Sequence, residues 1–292
     1  MTGDNSGYMA WVYKKPRRRF DAPESVLPGP HQIMGSTKRE PFISGWTGRT
    51  AVALFAYIVA AILLTFVDSE GSRVLEVVNL YSDSPASIVA FILAGAAARG
   101  SSDPAAKRTW WLLTAALGCY SAGNLVHATF WLFDVDPFPS IGDVFFLAFY
   151  PFVFAAVLVV VRAAAVRVQW GRLALDTSIL VLGFGGFFWF FVIAPTAASP
   201  HDASVLKFVL AQSYIAMNCV VLLACGVLLM HSGAAPIPRL AMLLLTLGFS
   251  SMSLADIVWA MSKVGGSYLP GGVSDAMYLL CYVWLAAAAS QT

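Results

Sequence analysis

The chain has 292 residues, 59% of them apolar and 12% charged, with net charge +2 and mean hydropathy +0.73. Soluble domains carry about 25% charged residues, so this chain cannot cover a water-exposed globule, and the composition is that of a polytopic membrane protein. Soluble-enzyme classes and bulk nucleic-acid binding are thereby excluded.

Residues 1–47 read as a basic, Pro-rich flexible arm on the cytoplasmic side. Residues 1–49 hold 8 of the 18 Lys and Arg, and five prolines interrupt them. The first apolar run starts too late for a secretory signal. Lys14, Lys15, Arg17, Arg18 and Arg19 follow Tyr8, Trp11 and Tyr13. That order suits a solvated tail, or a contact with anionic lipid or a partner, where each basic residue adds about 1 kcal/mol.

Eight apolar segments follow, at 50–67, 85–98, 109–132, 143–162, 173–194, 205–230, 239–262 and 274–290. A spanning helix needs about 20 such residues, and the second segment is short, with an alternative start near Val74. Gly and Pro punctuate the joins, including Gly100, Pro104, Pro137, Pro139, Pro236, Pro238 and Pro270. The arm and every second loop together carry 15 of the 18 Lys and Arg. The opposite loops hold Asp68, Glu70, Glu76, Asp83, Asp134, Asp136 and Asp202. The positive-inside rule puts the first set, and both termini, in the cytoplasm.

A shift of 132 residues superposes a polar skeleton: Ser121 on Ser253, Asn124 on Asp256, Asp143 on Asp275, Tyr150 on Tyr282, and Thr114 on Thr246. Polar residues are scarce here, so these matches outweigh apolar ones. The expected fold is all-α: eight transmembrane helices in two parallel four-helix repeats, 48–165 and 170–290.

Helical spacing puts Ser121, Asn124, Ala128 and Trp131 on one face, and Ser253, Asp256 and Ala260 on its copy. Asp143 and Tyr150 share a face of the next span, as do Asp275 and Tyr282. A charge at bilayer depth costs several kcal/mol, so it must face a partner or a wet cavity. Each half is therefore expected to focus a polar cluster toward the outer leaflet. His127 and Trp259 complete the candidate set, one turn from Asn124 and Asp256.

Each candidate also has a plain structural reading. Asp143 and Asp275 suit helix capping. Asp256 suits a bond to Ser253 or a Tyr that locks two helices. His127 suits a satisfied interior histidine. Gly183-Phe-Gly185-Gly186 and Gly95-Ala-Ala-Ala suit close helix packing. Cys119, Cys219, Cys225 and Cys281 lie in apolar runs without a CxxC spacing. No metal, cofactor or catalytic motif is expected.

Tyr120-Ser-Ala-Gly-Asn124 and Asp136-Pro-Phe-Pro-Ser140-Ile-Gly-Asp143, running on to Tyr150-Pro151, resemble a known region. It is the N-terminal multi-helix membrane region of bacterial, largely actinobacterial, GGDEF and GGDEF–EAL cyclic-di-GMP signalling proteins. Leu173-Ala-Leu-Asp176, Leu254-Ala-Asp256-Ile-Val-Trp259 and Asp275-Ala-Met-Tyr also suit that family, so the likeness covers about residues 48–290. The family often shows Tyr-Pro…Asp in the sixth span, where this chain has Tyr214, Ile215 and Asn218.

The resemblance implies a non-enzymatic sensory or scaffolding module in a bacterial inner membrane, with an outward-facing polar pocket. Its partners would be the bilayer, a cytoplasmic signalling domain or an envelope complex, and a second copy of the chain. No GGDEF sequence follows before Thr292, so the expectation is either the membrane module of a longer product or a stand-alone relative. A proton-coupled transporter and a structural envelope subunit are the competing classes.

Overall fold

The computed structural model describes residues 45–65, 81–133, 135, 138–163, 205–230, 235–264 and 272–292, with Leu175, Ser178, Ile179, Leu182, Gly183, Gly186 and Trp189 between them. The chain divides into two units, 1–39 and 40–292. The first, which contains Lys14, Lys15, Arg17, Arg18 and Arg19, lies outside the described residues.

Among the described residues the fold is helical and without strands. The helices are α1 (Trp46–Thr65), α2 (Asp83–Gly100), α3 (Pro104–Leu132), α4 (Ile141–Ala163), α5 (Val205–Met230), α6 (Arg239–Val264) and α7 (Val273–Ala289). Trp46–Leu64, Ile141–Ala163 and Arg239–Ala260 are long and apolar enough to cross a membrane. α7 is as apolar but shorter. The chain is therefore an α-helical membrane protein. The predicted fifth segment lies mostly outside the described residues.

Several helices start ahead of their apolar runs. α3 begins at Pro104, because Asp103 caps it: the Asp103 carboxylate accepts from the backbone N–H of Ala105 and Ala106 at 2.9 and 2.8 Å. Pro104 at the first helical position loses nothing there, since its missing N–H would be unpaired anyway. α2 begins at Asp83, so this residue is helical and not a loop acid as the sequence reading had it.

α1 shows how these helices divide their surfaces. Ala51, Leu54, Ile58 and Ala61 are buried, while Val52, Phe55, Val59 and Leu63 are exposed. Both sets follow helical spacing, so the helix is apolar all round and buries only one side, the pattern of a membrane helix facing lipid.

In lipid the apolar face alone does not draw helices together, and close packing of small residues does. α2 buries Ala86, Ala90, Ala94, Ala97 and Ala98 in this way. A Cβ on Gly95 would sit 3.6 Å from Thr114 Cγ2 of α3. The other glycine run behaves differently. Among the described residues, a Cβ on Gly183 or Gly186 would meet nothing within 4 Å.

Packing follows a closed order. α3 packs on α2 and α4, and α6 packs on α5 and α7. α2 also touches α7, α4 also touches α5, and α1 lies against α7 and α2. Trp110, Phe149, Tyr150, Val153, Val221 and Leu279 fill the centre.

The α3–α4 and α6–α7 seams each need a glycine. A Cβ on Gly123 would come within 2.6 Å of the Phe146 ring, and one on Gly248 within 2.9 Å of Leu285. Gly123→Ala gains about 1 kcal/mol of helix propensity but drives the methyl into that ring, and overpacking costs about 1–3 kcal/mol. The expected result is a lower unfolding midpoint in detergent. A raised midpoint would show that Phe146 simply swings aside.

Candidate functional site

The polar residues gather at one end of the bundle. The first halves of α2, α4, α5 and α7 and the second halves of α3 and α6 enclose one cavity of about 90 Å³. At roughly 10–15 Å³ per water this holds several waters or a small solute. Arg99, Lys107, Arg108, Arg162 and Arg239 sit at the opposite helix ends.

Local sequence explains how each carboxylate arrives. Ser140 precedes α4 and its Oγ accepts from Gly142 N–H at 3.1 Å, while Asp143 Oδ2 accepts from Ser140 N–H at 2.6 Å. This is a capping box, with Asp in the usual Glu position. Its geometry turns Asp143 Oδ1 toward α5, where it accepts from Tyr214 Oη at 2.7 Å. Asp143 thus caps a helix and ties two together.

Asp256 is buried at the junction of four helices. Oδ1 accepts from Tyr278 Oη of α7. Oδ2 accepts from Asn218 Nδ2 of α5 and, at 3.4 Å, from Tyr150 Oη of α4. Asn218 Nδ2 also donates to Tyr150 Oη at 3.0 Å and to the Tyr214 carbonyl at 3.0 Å. The partners of Asp256 are therefore tyrosines and an asparagine. Ser253, the expected partner, instead donates to its own helix at Phe249 O, 2.9 Å away.

Asn124 Nδ2 donates to Tyr282 Oη at 2.9 Å. His127 Nε2 accepts from Trp131 Nε1 at 3.2 Å. Asp275 Oδ1 accepts from Ser274 Oγ at 3.2 Å. Trp259 stacks edge-on against Phe138 and Tyr214, with centroids 5.4 and 6.3 Å apart.

Of the expected residues, Asn124, His127, Asp143, Tyr150, Asp256, Trp259 and Asp275 all line the cavity. Tyr282 stands behind its wall as the partner of Asn124. Ser121 and Ser253 do not line it: both are buried, and Ser121 Oγ has no hydrogen-bond partner. Thr114 and Thr246 likewise serve their own helices, donating to Trp110 O and Met242 O. The two expected clusters are a single shared cavity, because α4 meets α5 and α2 meets α7.

Sequence reasoning left out Asp83, Tyr120, Phe146, Tyr214, Met252 and Tyr278, which also line the cavity. A signal for two pairs was available. Tyr120 and Met252, and Phe146 and Tyr278, are each 132 residues apart, as are the candidates His127 and Trp259, Asn124 and Asp256, and Asp143 and Asp275. The side-chain types differ within most pairs, which hid them from an identity search.

Among the described residues no group of three or more His, Cys, Asp or Glu is placed to hold a metal ion. Cys119, Cys225 and Cys281 are free thiols. No family model, no curated protein and no solved structure matches the chain.

Proposed function

We propose that the chain is the sensory membrane module of a bacterial signalling system, with eight spans in two parallel four-helix repeats and both termini cytoplasmic. It performs no chemistry of its own. A solute enters the cavity from outside, and the bundle passes its occupancy to a cytoplasmic domain or partner of the cyclic-di-GMP kind that the sequence resembles.

One observation carries this reading. Asn124 of the first repeat bonds Tyr282 of the second, and Asp256 of the second bonds Tyr150 of the first. The two bonds are copies under the 132-residue shift. The helix neighbours support the same duplication, since α2, α3 and α4 exchange for α5, α6 and α7 with contacts kept. A cavity walled by bonds between repeats is where a ligand could bind two packings unequally, as any switch requires.

The test combines topology with motion. Reporter fusions after Gly100 and Thr292 should read cytoplasmic, and one after Pro200 external. Spin labels at Ser101 and Thr292, in a chain cleared of other cysteines, should change separation by about 1–2 Å in Asn124→Leu. An external C-terminus, or an unchanged distance, counts against the module. A transporter is the second reading, favoured by a buried carboxylate inside a parallel repeat. It predicts solute uptake into proteoliposomes that Asp256→Asn abolishes.

A further inference from the structure

The cavity wall combines polar groups that the protein has already satisfied with two that it has not. Asp143 and Asp256 each receive donors on both oxygens, from Ser140 and Tyr214 and from Tyr278, Asn218 and Tyr150. Asp275 accepts from Ser274. Asp83 Oδ1 is sealed from the open space. These acids serve the bundle itself.

Tyr120 is different. It lines the cavity and is only 8% exposed, yet its Oη makes no hydrogen bond among the described residues. Its ring is fixed by Phe146, Phe149 and Tyr282, at centroid distances of 4.9, 5.4 and 6.1 Å. The oxygen is not sealed in. Among the described residues, the buried side-chain polar atoms without a partner are Asp83 Oδ1, Trp110 Nε1 and Ser121 Oγ. The second cavity that Tyr120 borders has a volume of about 0 Å³, too tight for a water. The phenol therefore opens into the main cavity. A buried tyrosine hydroxyl ordinarily has a partner, so this one is placed for something that enters.

Asn124 follows one turn later on the same face of α3. Its Nδ2 donates to Tyr282 Oη. Its Oδ1 has no donor among the described residues and is not sealed in either. An O–H donor and a carbonyl acceptor, on β-carbons about 5–6 Å apart, complement a carboxamide, which presents C=O and N–H side by side. Under the 132-residue shift Tyr120 matches Met252 and Asn124 matches Asp256, both on the same wall. Met252 has no O–H, and Asp256 is already engaged. The free pair thus occurs once and gives a ligand one orientation. Phe138 and Trp259, with centroids 5.4 Å apart, add apolar surface to the wall.

We propose that Tyr120 and Asn124 form the binding site for a small uncharged primary carboxamide. Tyr120 Oη donates to the ligand's carbonyl oxygen, the ligand's N–H donates to Asn124 Oδ1, and its carbon body lies against the aromatic wall. The cavity of about 90 Å³ limits the ligand to a few heavy atoms. A neutral ligand also gives up less hydration on entry than an ion does. The proposal rests on the pocket reading above and names its ligand class.

The whole chain, purified in detergent, is titrated with propionamide at constant ionic strength. Butanone has the same shape and carbonyl but no N–H. Propionate and n-propylammonium are the anionic and cationic counterparts. Binding is read by saturation-transfer NMR, and the unfolding midpoint is measured alongside. Saturable binding of propionamide is expected, with butanone about 10-fold weaker and both ions weaker still. Tyr120→Phe removes an oxygen that bonds nothing in the protein and keeps the ring. It should leave the unliganded midpoint unchanged and weaken propionamide by about 5- to 10-fold.

Unchanged binding in Tyr120→Phe overturns the proposal. A lowered midpoint or a failure of that variant to fold also overturns it, because the hydroxyl would then be holding the bundle. Equal binding of butanone removes the carboxamide assignment, and equal or tighter binding of either ion removes the neutral one. No binding of any probe overturns the site, the phenol then facing water alone. The module reading fails on other readouts, fusion topology and label distance, so the two failures are distinguishable.

Discussion

Asp256→Leu should remove most of the folded protein, and Asp256→Asn should keep it. The carboxylate accepts from donors on α4, α5 and α7 while itself belonging to α6. Leucine leaves Tyr150, Asn218 and Tyr278 with fewer acceptors, at about 1–3 kcal/mol for each group left unsatisfied. Membrane hydrogen bonds average nearer 0.6 kcal/mol in double-mutant cycles, so the low end applies. Even so, a loss of about 2–3 kcal/mol over the three groups is a large share of a typical total stability of about 5–15 kcal/mol.

Asparagine is a gentler change. Its Oδ1 can still accept from Tyr278. Its amide can donate to Tyr150 Oη or, if Asn218 turns its own amide, to Asn218 Oδ1. Monodisperse yield and unfolding midpoint in detergent measure both variants. A wild-type yield for Asp256→Leu would refute the four-helix junction as a structural lock. A folded Asp256→Asn with an altered label distance would give the same carboxylate a signalling role beyond holding helices.

Asp143→Ala should be the next most damaging change, because one side chain does two jobs. Loss of the capping box costs about 0.5–2 kcal/mol, and the lost acceptor for Tyr214 adds about 1 kcal/mol or more. Tyr214→Phe removes only the second contribution. The two therefore form a cycle: Tyr214→Phe should destabilise the parent protein by about 1 kcal/mol and cost close to nothing once Asp143 is alanine. Coupling energies of directly bonded pairs run about 0.5–3 kcal/mol. Strict additivity would mean that the 2.7 Å bond between Tyr214 and Asp143 contributes nothing to stability.

The candidate residues differ in how readable they were. Asp143 was legible as a helix cap, since Ser140 three residues earlier marks a helix start. Its α5 partner was not, because hydrogen bonds between helices leave no trace in periodicity. Asn218, one turn after Tyr214, was visible as a polar residue in an apolar run, yet nothing in the sequence said that it reaches Asp256. Asp83 was misplaced because it precedes the apolar stretch of α2: hydropathy marks where lipid begins, while the helix starts where backbone hydrogen bonding does. Ser121 and Ser253 share the periodic face of Asn124 and Asp256, but a hydroxyl can turn to the carbonyl four residues back, as Ser253 does.

Composition, the Lys and Arg asymmetry and the 132-residue shift are properties of the chain itself, and they were sufficient for a helical membrane protein and for most of the polar set. Burial of a 59% apolar chain leaves little choice of solvent. The tertiary structure alone decided that two sets of polar residues become one cavity. That outcome depends on α2 meeting α7 and α4 meeting α5, contacts between segments distant in the chain. It also decided the partners of each carboxylate. Tyr214 of α5 donates to Asp143 of α4, and Tyr278, Asn218 and Tyr150 donate to Asp256 of α6, pairings that arise only when repeated helices with unequal side chains are packed face to face.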